Sequence, residues 1–324
     1  MARTAVILIC VFLAACAPVT APLGLENTAP AVEPDSFVTR DGLHLPLRRW
    51  DAAKPRAVIV ALHGMSDYSN AFGMPATWWA GQGITTYAYD QRGFGRAPNP
   101  GLWPGGKALR QDLTDCVEAL RARNPGVPLF VLGESMGGAV VLSALAGPDP
   151  PHVDGVILVA AAVWSRDDMP IPYRVALWLT AHTVPWMHLS GRGLKIWPSD
   201  NIEMMRKLSR DPLFQKQTRA DAVWGLVDLM DAGRKAPEHL LDAAHPVPLW
   251  RQGSDHSARA HRSRGEGIGT ARRGARLSER LSHAAARPRR PVDLEGRDRV
   301  DGCHPGQANA VSASRDPLQN LCAL

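Results

Sequence analysis

Cysteine is scarce in this chain of 324 residues: five, at positions 10, 16, 116, 303 and 322. They have neither metal-ligand spacing nor the density of a disulfide framework, which argues against a stapled scaffold and a thiolate metal centre. Aromatic residues are thin too, at 6%, and their distribution is uneven. Beyond Trp250 there is no Phe, Tyr, Trp, Met or Lys and a single isoleucine, Ile268. That stretch carries many of the arginines behind the net charge of +6. With no aromatics interleaved for stacking and no binding module, they do not make a nucleic-acid surface. No internal repeat is visible. Ala5 to Leu13, apolar throughout, is too short to cross a bilayer. What is present is 45% hydrophobic residues, ample for the core of one large domain.

Residues 1–16 read as a targeting segment, with Arg3 as its positive end. Leu13-Ala14-Ala15-Cys16 resembles the bacterial lipobox, in which the cysteine is lipidated and becomes the N-terminus; the plain alternative is a secretory signal cut near Ala15 or Ala17. The expectation is a protein of the bacterial cell envelope. It would be lipid-anchored to a membrane through Cys16, on the periplasmic or extracellular face. Residues 17–35, rich in Ala and Pro, are expected to be a flexible tether.

Alternating residues around Asp41-Gly42 predict a hairpin within 36–50. Residues 56–62 (RAVIVAL), 84–89 (ITTYAY), 128–132 and 153–162 predict buried strands, and 107–124 predict a helix with Leu109, Leu113, Val117 and Leu120 on one face. Strands alternating with helices imply a mostly parallel sheet covered on both faces, over 36–162. From 163 to 245 the strand pattern stops. Residues 169–187, apolar nearly all round, and two amphipathic segments, 201–208 and 220–232, predict a helical lid.

Between the strand of 128–132 and an apolar helix lies Gly133-Glu134-Ser135-Met136-Gly137, a G-x-S-x-G pentapeptide in strand–turn–helix context. A serine on such a sharp turn is strained and exposed, and the helix after it offers a positive end and the Met136 amide to a developing oxyanion. Two further turns follow strands: His63-Gly64-Met65-Ser66, and Asp90 with Gly93 and Gly95. Together these residues resemble the α/β-hydrolase fold, and within it the monoacylglycerol lipase and lysophospholipase group, also classed as serine aminopeptidase-type hydrolases. The resemblance covers about 37–249. It implies Ser135 as nucleophile, an oxyanion hole from the Met65 and Met136 amides, a lid over the serine, and a lipid ester as substrate, with no metal or cofactor. His63 is expected to position the turn, and Asp90 to cap a loop.

The resemblance breaks after residue 249. The group's acid follows the strand expected to begin at His245, and its histidine sits later in a Y-x-x-G-Y-H loop. Asp255 and His283 stand about where these partners belong, but without the strand or helix that would position them. Read one nucleotide later, the codons for 276–291 permit a Y-x-x-G-Y-H loop, those for 249–258 the acid's loop, and those for 292–301 a last helix. One frame serves all three in the right order. The expectation is a reading frame that slips near 247–250, leaving 246–324 irregular and poorly ordered. Two readings stay open: a membrane-anchored serine hydrolase of lipid esters, or a frameshift-damaged, non-catalytic lipoprotein without a working His/Asp pair.

Overall fold

The computed structural model describes residues 17–190, 201–242 and 249–252. All belong to one compact unit that runs to Ser254; the other unit, Asp255–Leu324, lies outside the described residues. The chain enters through β1 (Ala31–Val32), β2 (Ser36–Val38) and β3 (His44–Trp50), consecutive antiparallel strands that include the expected hairpin. Gly42 at its tip has φ 77°, which glycine tolerates without strain.

β4 (Ala57–Leu62) is buried at all six positions, as an unbroken apolar run requires. Helix α1 (Gly73–Gly81) follows, then β5 (Ile84–Tyr89), equally buried. β5 lies between β3, antiparallel, and β4, parallel. Helix α2 (Gly106–Arg123) buries Leu109, Leu113, Val117 and Leu120, as their spacing predicts, together with Cys116. β6 (Leu129–Glu134), α3 (Met136–Leu145) and β7 (Gly155–Val159) complete the centre of the sheet. β4, β6 and β7 run parallel, with Ala61 opposite Leu132 and Leu132 opposite Ile157. Val58, Val60 and Leu62 join one core cluster with residues of α2 and α3; Ile59 and Ala61, fully buried outside that cluster, face the opposite side.

After β7 come α4 (Ile171–Thr183), β8 (His188–Leu189), α5 (Ile202–Arg210), β9 (Thr218–Arg219) and α6 (Ala220–Asp242). The last described strand, β10 (Leu249–Gln252), pairs parallel with β7, Trp250 opposite Ile157. The sheet order among the described strands is β1-β2-β3-β5-β4-β6-β7-β10, with β8 and β9 paired separately. This is the mostly parallel α/β architecture that the sequence predicts.

Four expectations change. The Ala/Pro-rich segment 17–35 is seated on the domain rather than free: Ala21 N–H donates to Trp103 O (2.8 Å), Thr28 N–H to Arg40 O (2.9 Å), and its end forms β1. Helix α1 was not anticipated, because its glycines and Pro75 mask its pattern. The third lid helix, α6, runs on to Asp242 and belongs to the body: Ala222, Leu229 and Ala236 are part of the main core. Gly233 makes this crossing close, since a Cβ there would stand 3.3 Å from Ala139 Cα. Finally, Leu249–Gln252 forms a regular strand, β10, inside the segment expected to be irregular; the start expected at His245 lies outside the described residues.

A buried ion network ties the hairpin to α2. Arg92 donates two hydrogen bonds to Asp41 (2.7 and 2.6 Å) and two to Asp112 (2.7 and 2.8 Å). Arg92 holds the Asp41 carboxyl well below the usual carboxylate range. Burial pushes Asp112 up to about 6, against the pull of Arg92.

Candidate active site

β6 delivers the chain to Ser135, and α3 starts one residue later. Ser135 has φ 51° and ψ −113°, a backbone state that costs a non-glycine residue about 1–3 kcal/mol and persists only where its surroundings impose it. Here the Ser135 N–H donates to Val159 O (3.0 Å), and its carbonyl accepts from Gly138 N–H (3.0 Å) and Ala162 N–H (2.8 Å). The two glycines of the pentapeptide allow the turn to close. A Cβ on Gly137 would lie 2.2 Å from Leu62 O, and one on Gly133 2.6 Å from Gly137 O. The Ser135 side chain is half-buried, and its hydroxyl has no hydrogen-bond partner among the described residues.

The turn after β4 lies against the serine: a Cβ on Gly64 would stand 3.1 Å from Ser135 Cβ. His63 is fully buried. Its Nε2 accepts from Gln91 N–H (3.0 Å), so Nδ1 carries the proton and donates to Gly64 O (2.9 Å). Burial pushes this imidazole down to about 4. With both ring nitrogens bonded and the ring neutral, His63 positions the turn and is not a base. The oxygen it holds belongs to the peptide unit that bears the Met65 N–H. That N–H has no partner among the described residues. Met136, the first residue of α3, has one of the amides that every helix start leaves unpaired. The neighbourhood of Ser135 can therefore accept negative charge on backbone donors.

Asp90 accepts from Ser69 N–H (3.0 Å) and Arg96 N–H (2.9 Å), the loop cap expected of it. Three contacts that the sequence did not announce bind the Met65 turn and its neighbour to the segment after α5. Tyr68 Oη donates to Asp211 (2.6 Å), Gln215 N–H to Ser66 O (2.9 Å) and Gln215 Nε2 to Gly93 O (2.6 Å). Glu134 was also missed. Its Oε2 accepts from Gly64 N–H (2.9 Å). A carboxylate ending an otherwise apolar strand was the signal that could have found it.

Cys16, Asp255 and His283 lie outside the described residues. No metal-binding group of His, Cys, Asp or Glu occurs among the described residues, and no described helix is long and apolar enough to cross a membrane. A cavity of about 340 Å³ opens beside Trp103, Arg110 and Trp224, but neither Ser135 nor Met65 lines it. It is separate from the candidate active site, because the strained serine and the free amides lie elsewhere.

The family model for serine aminopeptidase S33 (Hydrolase_4) matches residues 53–264, more than half of the chain. Human monoglyceride lipase is 25% identical over 158 residues, covering 48% of this chain and 52% of the relative. A monoacylglycerol lipase from Mycolicibacterium smegmatis is 31% identical over 151 residues, covering 44% and 51%. The chain spans about half the length of these curated relatives. A soluble variant of monoglyceride lipase from Saccharomyces cerevisiae, solved with a substrate analogue, superimposes with a TM-score of 0.50 at 20% identity, over 66% of this chain and 72% of that one. At that identity the likeness speaks for the fold alone. The turn geometry, the sheet order and the extent of the family match agree: the chain belongs to the serine aminopeptidase S33 family and has the α/β-hydrolase fold.

Proposed function

We propose that the protein hydrolyses carboxylic esters of lipids, monoacylglycerols or lysophospholipids, through an acyl-serine intermediate on Ser135. The observation that carries this reading is the strained, half-exposed Ser135 beside the unpaired Met65 and Met136 amides. Ser135 Oγ attacks the ester carbonyl while a histidine takes its proton. The two amides hold the oxyanion. The histidine then protonates the leaving alcohol, and water, activated in the same way, releases the fatty acid and restores Ser135. Asp255 and His283 are the candidate orienting acid and base in the chain as written. The names of the human and mycobacterial relatives support the substrate class. So does α4, which exposes Ile171 (71%), Val175 (51%) and Trp178 (50%) along one side. An apolar face of that size suits an acyl chain or a lipid surface.

The anchor is part of the proposal: lipidation at Cys16 holds the protein on the envelope membrane, where its substrate resides. The second reading, a non-catalytic product of a shifted frame, is favoured by the absence of aromatic residues beyond Trp250. Fatty-acid release from a monoacylglycerol in mixed micelles decides between them. Release by the wild type that S135A lacks is the expected result; no release by folded wild type favours the second reading.

A further inference from the structure

Two peptide units separate His63 from Met65, and both are pinned. The oxygen of the Gly64–Met65 unit accepts from His63 Nδ1 (2.9 Å) and from Asp67 N–H (3.3 Å). In a trans peptide, fixing the oxygen fixes the direction of the N–H on its other side. The preceding unit, His63–Gly64, is held at both ends: its oxygen accepts from Gln91 Nε2 (2.8 Å) and its N–H donates to Glu134 Oε2 (2.9 Å). Glu134 is bonded covalently to Ser135. One side chain therefore spans the gap between the turn with the free Met65 amide and the turn with the serine. The approach is tight: a Cβ on Gly64 would lie 3.0 Å from Glu134 Oε2 and 3.1 Å from Ser135 Cβ.

A carboxylate is a costly group here. It is largely buried, and no described cation pairs with it; burial, with Asp67 adding to it, raises its pKa against the pull of the Gly64 N–H. Held in place at that cost, it gives the Gly64 N–H a charge-assisted acceptor.

We infer that Glu134 is a positioning residue: its carboxylate, bonded to the Gly64 N–H, sets the distance between the Met65 amide and Ser135. The catalytic consequence rests on the proposed role of Ser135; the positioning itself does not. Without the Glu134 bond, the His63–Gly64 unit keeps only the Gln91 bond to its oxygen, and the Met65 N–H keeps its direction through Gly64 O, but the direct tie that fixes their distance from Ser135 is gone. Removing an oxyanion donor outright costs about 10²–10³-fold in rate, so misplacing one should cost somewhat less.

The experiment uses the full chain and two variants, E134L, which has no acceptor, and E134Q, which keeps an oxygen acceptor without the charge. Backbone hydrogen exchange over residues 61–68 reads the positioning without reference to activity. Labelling of Ser135 by a fluorophosphonate, and kcat and KM for a short soluble ester, read its consequence. E134L should speed exchange in 61–68 and leave α2 and α3 unchanged. It should also slow labelling and kcat about 10- to 100-fold with KM within about twofold, and E134Q should recover most of that loss. A merely structural role would move exchange across the body and would not be rescued selectively by E134Q. Wild-type exchange over 61–68 in E134L overturns the inference, as does an E134L that labels at the wild-type rate while wild type labels well. If wild type shows no labelling while E134L still loosens 61–68, the positioning stands and the reading of Ser135 falls.

Discussion

Ser135 pays for its exposure with backbone strain, and the surrounding atoms leave it no alternative. Gly137 is the tightest of these constraints, with no room for a methyl group beside Leu62 O. Gly137→Ala should lower stability by about 1–3 kcal/mol or more, since neither backbone can yield cheaply. Gly81→Ala is the control, with nothing within 4 Å of the added carbon; it should be neutral or stabilising by about 0.5–1 kcal/mol. Urea unfolding midpoints for both check the pair. His63 gives a second prediction. Its folded pKa is depressed from 6.5 to about 4, so as pH falls below about 6.5 the unfolded chain binds a proton that the folded chain refuses. Stability contributed by neutral His63 is lost through that window, about 3 kcal/mol by pH 4. Glu134 and Asp67, both raised by burial, act in the opposite sense, so the test is a comparison. The fall in stability between pH 7 and pH 4.5 should be shallower in His63→Asn than in wild type. Equal slopes would contradict a buried, neutral His63.

Elements built on regular periodicity were legible in the sequence. The spacing of Leu109, Leu113, Val117 and Leu120 places α2 within a residue of its bounds, and ITTYAY coincides with β5. What escaped was set by tertiary contact rather than by local pattern. Helix α6 continues past Gly233 because that glycine fits against Ala139, a reason invisible in the sequence of α6 alone. Segment 17–35 is held by the backbone of Arg40 and Trp103, which no composition rule announces. In the candidate site, Ser135 and the two turns were legible; the bonds from Glu134, Tyr68 and Gln215 were not, because they join residues distant in sequence. The loop after β5 is stapled by Arg92 between Asp41 of the hairpin and Asp112 of α2. Arg92→Leu should destabilise the protein by about 3–5 kcal/mol, since it leaves two buried carboxylates unpaired; a change below about 1 kcal/mol in urea unfolding would refute this. Helix α4 is locked by other means: His182 stacks on Trp178 (4.8 Å) and meets Trp224 edge-on (5.0 Å), leaving the apolar face around Ile171 and Val175 exposed. Replacing Ile171 and Val175 by serine should weaken binding to phospholipid vesicles and spare hydrolysis of a soluble ester.

Over the whole molecule the questions are where it is held and what completes its site. Cys16→Ser should release the protein from membranes; retention would refute the lipid anchor. Resequencing the codons for His245 to His256 tests the slipped frame, and a missing or extra base is the expected finding. A sequence that stands as given would make the chain a natural frameshift product, with Ser135 a nucleophile without an assured base. The family match runs to residue 264, and β10 adds the strand after which an orienting acid belongs. The most direct measurement is made on the chain as it stands, with all 324 residues: mass spectrometry after reaction of folded protein with a fluorophosphonate. The account predicts one adduct, on the peptide containing Ser135, absent from S135A. A folded wild type with no adduct, or with an adduct that persists in S135A, would contradict it.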